Sequence, residues 1–288
     1  MKYAIYFLAV GDNARRCLSL AYTSLRKAGF TNDVYILCDQ ASVPFATSSN
    51  THILKIKDEH LNLDADTDMP YAFFDVRRLD TRNPRSARNP RKWSICRAKT
   101  LIDQYITFDA YEYVVYLDVD VLAQGSASVM EDFLVQHKGA IITAQNQNGQ
   151  RLGGRGNFSL RECRRVRTFS AANLTTGELF RYWFKKALCS DIVCIPTNTD
   201  GKQLMEAWRA EVQKDIDYDQ PALQAVVLRH YSDIHILAPY SLFGYGPYHN
   251  HYRGPDTLTK VASTFVHFGG AIKDARAFKA YYTRYIAT

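Results

Sequence analysis

The chain offers two groups of residues whose types and spacing could do chemistry. The first is Asp118-Val119-Asp120, at the end of the apolar run Tyr111-Glu112-Tyr113-Val114-Val115-Tyr116-Leu117. Alternate residues on extended backbone point the same way, so both carboxylates can face one small volume while Val119 turns back into the protein. Two anions held together call for a cation. A hard divalent ion such as Mn²⁺ or Mg²⁺ prefers oxygen ligands and can bridge carboxylates to the phosphates of a nucleotide. The second group is His267-Phe268-Gly269-Gly270-Ala271-Ile272-Lys273, which follows Ser263-Thr264-Phe265-Val266. A neutral imidazole supplies a nitrogen ligand, the glycines let the backbone approach a diphosphate, and Lys273 can neutralise phosphate charge. Taken alone, each pattern is also common at ordinary strand ends.

The elements that must position these groups alternate short β-favouring runs with helical stretches, the pattern of an α/β domain with a mostly parallel sheet flanked by helices. Strands are predicted over 3–10, 33–39 and 52–56, with a helix over 14–27 between the first two. A right-handed crossover is expected for such a unit. Residues 57–92 have no clear period and read as a long loop, and 93–105 as a helix. The run ending at Leu117 has the continuous apolar character of a buried central strand, and parallel sheets bind ligands beyond the carboxyl ends of their strands. Farther on, a helix is expected over 129–137, strands over 139–144 and 190–196, and helices over 201–212 and 220–228, with Pro221 suited to a first helical turn. Between them the composition shifts to Gln, Asn, Gly and Arg, which predicts a mobile insertion over about 145–176.

At 288 residues the chain is long enough for one large domain. Residues 1–288 are read as that domain: a nucleotide-binding half over 1–123 and an acceptor-binding half over 124–288. No apolar run reaches the ~20 residues that span a bilayer, and six cysteines without CxxC pairs suit a reducing cytosol. The expected location is cytoplasmic, with peripheral contact to the inner face of the membrane as an extension of it. A net charge of +7 is concentrated in arginine clusters within 77–92 and 151–167. Such clusters fit an anionic acceptor, a membrane surface, nucleic acid or plain solvation. The C-terminal Lys273, Arg276, Lys279, Tyr281, Tyr282, Arg284 and Tyr285 read as a plain surface helix, with a basic aromatic helix for membrane contact as the second reading.

Together the motifs resemble the family 8 retaining glycosyltransferases of the GT-A fold, whose D-x-D and late H-x-x-G-x-x-K patterns build a metal and diphosphate site. His267, Gly270 and Lys273 match the later pattern at every named position. Asp12-Asn13 after the first strand resembles the family's nucleotide-contacting D-N, and Lys99 falls where a basic residue precedes the D-x-D strand. The resemblance implies a metal held by Asp118, Asp120 and His267. It further implies a nucleotide-diphosphate donor, a UDP-hexose by family habit, contacted by Asp12, Asn13, Lys99, Asp118, Val119, Asp120, Gly270 and Lys273. Asp219-Gln220-Pro221-Ala222-Leu223 resembles the family's D-Q-x-x-L signature, in which the first two side chains face the donor sugar. The alternative to that role is a helix cap for Asp219 and plain solvation for Gln220. Where family members carry F-N-x-G this chain has Leu188-Cys189-Ser190-Asp191-Ile192, and Asp191 could replace a sugar contact. Asp219, Gln220 and Asp191 are thus the candidate catalytic residues. The acceptor would be a saccharide, a glycolipid or another anionic molecule.

Two other readings stand beside this one. A nucleic-acid-binding protein, or a glycosyltransferase acting on nucleic acid, would use the positive charge and the aromatics, but no recognisable binding motif is present. A sugar nucleotidyltransferase would share the parallel sheet and the carboxylate-bound metal. Its glycine-rich, lysine-containing loop is missing from Gly11-Asp12-Asn13-Ala14. The triplet His249-Asn250-His251 lacks the framework of a zinc or nuclease site.

Overall fold

A computed structural model describes residues 1–61, 98–145, 188–213, 219–247, 252–269, 271–272 and 274–287. Among these residues the fold is α/β, with a seven-stranded main sheet and a three-stranded second sheet. The main sheet contains β1 (Tyr3–Ala9), β2 (Val34–Cys38), β3 (Thr51–Lys55), β4 (Tyr113–Leu117), β6 (Ile141–Gln145), β7 (Leu188–Pro196) and β8 (His235–Leu237). Its order is β3-β2-β1-β4-β7-β6-β8. β1 and β4 lie at the centre and are buried along their whole length. Their unbroken apolar sequences follow from having both faces covered.

The pairings β1·β2, β1·β4, β2·β3 and β6·β8 are parallel, whereas β7 runs antiparallel to both β4 and β6. The expected mostly parallel sheet is therefore present, with one reversed strand inside it. Helix α1 (Asp12–Lys27) crosses from β1 to β2. Ala14, Cys17, Leu18, Ala21 and Leu25 form its buried stripe at helical spacing. Gly11, at φ 86°, makes the turn into it, a backbone conformation that glycine adopts without strain.

One face of the main sheet packs Tyr3, Ile5 and Phe7 with α1 and with α5 (Arg276–Tyr285). The other packs Ala4, Tyr6 and Leu8 with Trp208 and Leu204 of α3 (Thr199–Gln213) and Leu223 of α4 (Asp219–His230). Helix α2 (Ala127–Gln136) starts at Ser126, whose hydroxyl accepts from the Ser128 amide. The second sheet is β5-β10-β9, built from β5 (Val121–Ala123), β9 (Phe243–Tyr245) and β10 (Phe265–His267).

Several expected boundaries shift. α1 begins two residues earlier than its apolar period, because Asp12 and Asn13 already have helical backbone, and α4 begins at Asp219 itself. Within the expected helix over 93–105, residues 93–97 lie outside the described residues, and the chain then passes through the 3₁₀ turn Ile102–Gln104. The loop expected over 57–92 opens with one helical turn, Asp58–Leu61, and its remainder lies outside the described residues, as does the insertion beyond Gln145. No described helix is long and apolar enough to cross a membrane. On α5, Tyr281 and Tyr285 turn inward, their hydroxyls bonding Gln124 Oε1 at 2.8 Å and the Leu258 carbonyl at 2.8 Å. Arg276, Lys279 and Arg284 stay exposed.

Candidate metal and donor site

Strand pairing brings together residues far apart in sequence. β4 ends at Leu117, the chain turns through Asp118-Val119-Asp120, and β5 begins at Val121. Val119 points inward and is buried, as its alternation with the two acids requires. β5 pairs antiparallel with β10 in the register that sets His267 opposite Val121. The Phe268 amide then donates to the Asp120 carbonyl at 2.9 Å, locking the late histidine beside the second aspartate. On the other side of β4, antiparallel β7 sets Ile192 opposite Leu117, and the Asp118 amide donates to the Asp191 carbonyl at 2.8 Å. The meeting point of the two sheets thus collects Asp118, Asp120, Asp191 and His267.

One ligand atom from each of Asp118, Asp120 and His267 lies within 4.8 Å of the others. His267 Nε2 stands 3.3 Å from Asp120 Oδ1. Two ligands bound at right angles to one ion, each about 2.1 Å away, are about 3 Å apart, so the spacing suits a shared cation. On its opposite edge the ring faces Asp191, with Nδ1 to Oδ2 at 2.9 Å. That contact is close but not directed along the N–H, and Nδ1 has no aligned hydrogen-bond partner. Tyr245, opposite His267 in the β9·β10 ladder, sets its ring edge-on to the imidazole at 5.5 Å.

Beneath the acids lies a buried polar layer. Lys99 Nζ contacts Asp219 Oδ2 and stands 3.4 Å from Asp118 Oδ1. It also sits 4.4 Å from the centre of the Tyr116 ring, and the Tyr116 hydroxyl donates to Asp118. Ser190 Oγ donates to Asp219 Oδ2 at 2.8 Å, and Trp208 Nε1 donates to the Asp219 carbonyl at 2.9 Å. Cys189 Sγ donates to Asp191 and lies 3.5 Å from Gln220 Oε1.

The charges respond to this crowding. Burial, reinforced by Asp191 and Asp120, pushes the Asp118 carboxyl up to about 8, and Lys99 and His267 hold it from rising further. Burial opposes charge on Asp191, yet the His267 imidazole holds its carboxyl below the usual range. Burial likewise opposes charge on His267, and Asp191 and Asp120 outweigh it, raising the imidazole well above its ordinary value. Lys99, desolvated but flanked by Asp118 and Asp219, is raised in the same way. A surplus of carboxylates over cations at one buried point is the electrostatic signature of a cation site.

The other residues singled out in the sequence are placed unevenly. Asp12 and Asn13 are exposed at the start of α1, just past the carboxyl end of β1. The β1·β4 register sets Phe7 beside Leu117, so they lie off the same sheet edge as Asp118. Asp12 pairs with Arg15, which also pairs with Asp39. Gly270, Lys273, the triplet at 249–251 and the arginine clusters lie outside the described residues. Tyr116, Tyr245, Cys189 and Ser190 also belong to the cluster, and none of them was assigned a role from sequence. Tyr116 alone carried a signal, because it lies two residues before Asp118 and so on the same face of the strand.

No family model matches the chain, and no curated protein matches its sequence. Solved structures do match in shape. The galactosyltransferase LgtC, in complex with donor and acceptor sugar analogues, superposes with a TM-score of 0.55 at 15% identity, over 96% of this chain and 92% of that one. An active-site glutamine-to-glutamate mutant of LgtC gives a TM-score of 0.52 at 14% identity, over 93% and 87% of the two chains. The bifunctional glycosyltransferase WbbM, in its apo form, gives 0.54 at 10% identity over 94% of this chain, which spans 46% of WbbM. The chain therefore has the GT-A glycosyltransferase fold that the motifs led us to expect. Neither the nucleic-acid reading nor the nucleotidyltransferase reading gains support from these neighbours.

Proposed function

We propose that this protein is a metal-dependent glycosyltransferase that moves a hexose from a nucleotide-diphosphate donor, a UDP-sugar by its family 8 resemblance, to a saccharide, glycolipid or other anionic acceptor with retention of configuration. The observation that carries the reading is the convergence of Asp118, Asp120 and His267 from two sheets at the carboxyl edge of this fold. These residues fit a divalent ion such as Mn²⁺ or Mg²⁺: two hard oxygen ligands, one nitrogen ligand and an excess of negative charge. The bound ion would supply Lewis-acid stabilisation to the departing diphosphate.

The chain's own groups divide the remaining work. Tyr116 and Lys99 orient Asp118 from below. We assign the nucleoside to Asp12 and Asn13, which are exposed at the same edge. Gly270 and Lys273 keep the role the resemblance assigns, close backbone approach to the diphosphate and neutralisation of its charge. Gln220 is the group we place against the donor sugar, with Asp219 beneath it. The Asp219 carboxylate is buried and already engaged by Lys99 and Ser190, which suits it to positioning better than to nucleophilic attack. A front-face route follows, in which the leaving phosphate oxygen accepts the acceptor's proton. The active site of LgtC also contains a glutamine. The acceptor reading draws on the same neighbour, whose complex holds donor and acceptor sugar analogues.

The test is hydrolysis of a panel of nucleotide-sugars with and without Mn²⁺. Asp118→Asn and Asp120→Asn should each abolish metal-dependent hydrolysis while the thermal transition persists. Activity unchanged by either substitution would remove the proposal.

A further inference from the structure

We propose that Asp191 is a positioning residue for the metal ligand: it holds the Nδ1 edge of His267 so that Nε2 is presented to the cation. The proposal rests on the metal-site reading above and departs from treating Asp191 as a sugar contact or a nucleophile.

Three observations lead to it. Asp191 Oδ2 lies 2.9 Å from Nδ1, whereas Nε2 points toward Asp120 at 3.3 Å, so the two ring nitrogens face two different carboxylates. His267 is 9% exposed and its Nδ1 has no aligned hydrogen-bond partner among the described residues, so the buried nitrogen needs an acceptor, and Asp191 Oδ2 is within reach at 2.9 Å. Asp191 is itself fixed on both sides. Its carbonyl accepts from the Asp118 amide at 2.8 Å within the edge of the β4·β7 ladder, and its carboxylate accepts from Cys189.

A histidine bound to a metal through one nitrogen commonly donates the other N–H to a carboxylate, which fixes the tautomer and makes the ligating nitrogen more basic. Asp191 stands on the correct edge of the ring for that. The same backbone contact ties Asp191 to Asp118, so one strand supports two of the three ligands. A carboxylate used in this way is also unavailable for attack on an anomeric carbon.

Mn²⁺ affinity, read from the free-Mn²⁺ electron paramagnetic resonance signal, tests the idea without donor or acceptor. Asp191→Ala should weaken Mn²⁺ binding by about 10- to 100-fold. Asp191→Asn, which keeps an acceptor oxygen but not the charge, should fall between it and the unaltered protein. In the unaltered protein loaded with Zn²⁺, ¹⁵N-histidine NMR should place the remaining ring proton of His267 on Nδ1. Unweakened Mn²⁺ binding in both variants, a proton on Nε2, or a glycosyl adduct trapped on Asp191 would each overturn the proposal. Asp118→Asn separates the two claims: if it too binds Mn²⁺ like the unaltered protein, the metal-site reading fails, and if only the Asp191 variants do, this inference alone fails.

Discussion

At Lys99 one ammonium, 8% exposed, answers two carboxylates, Asp219 in direct contact and Asp118 at 3.4 Å. A buried charge pair contributes little relative to an apolar pair of the same shape, but removing one partner strands the other in a medium that cannot solvate it. Lys99→Met should therefore lower the unfolding free energy by about 3–5 kcal/mol, measured by chemical denaturation. A change below about 1 kcal/mol would mean that water reaches Asp219. The sequence assigned Lys99 to the donor, and its pairing with Asp118 and Asp219 was not part of that expectation. That pairing was not legible, because a basic residue ahead of an acidic motif looks the same whether it faces a phosphate or a neighbouring aspartate.

At the scale of elements, α3 shows how a helix is fixed against the sheet that carries the site. Gly201 lies in its first turn, where a methyl group would stand 1.6 Å from the Pro196 carbonyl oxygen at the end of β7. Glycine inside a helix ordinarily costs about 1 kcal/mol relative to alanine. Here the order should reverse, and Gly201→Ala should destabilise by about 2 kcal/mol or more, because backbone cannot move aside as a side chain can. An equal or higher denaturation midpoint in the variant would show that α3 can slide away from β7. β1, β2 and β4 were readable because apolar, β-rich runs have few alternatives. The direction of β7 was not, since side chains alternate between the two faces in the same way whether a strand pairs parallel or antiparallel. β5, β9 and β10, three residues each, are too short to show any period. For the same reason the approach of Asp191 to His267 could not be foreseen: it depends on the β4·β7 and β5·β10 pairings together.

For the whole molecule, the site is where two sheets meet. The main sheet delivers Asp118 from the end of β4, and the second sheet delivers His267 from β10, next to Asp120. The convergence of the middle and the end of the chain was legible only through the paired motifs, because neither spacing nor composition links positions so distant. Gly270 and Lys273, the rest of the late motif, lie outside the described residues, so the diphosphate cradle remains an expectation from sequence. A cation at this junction would cross-link the sheets. Crystals grown with Mn²⁺ and UDP provide the most direct test, read by anomalous scattering at the manganese edge. The expected result is one strong peak bonded to the Asp118 and Asp120 carboxylates and to His267 Nε2 at about 2.2 Å, with the diphosphate completing the shell. Nucleotide bound with no manganese among these three residues, or manganese held elsewhere on the chain, would contradict it.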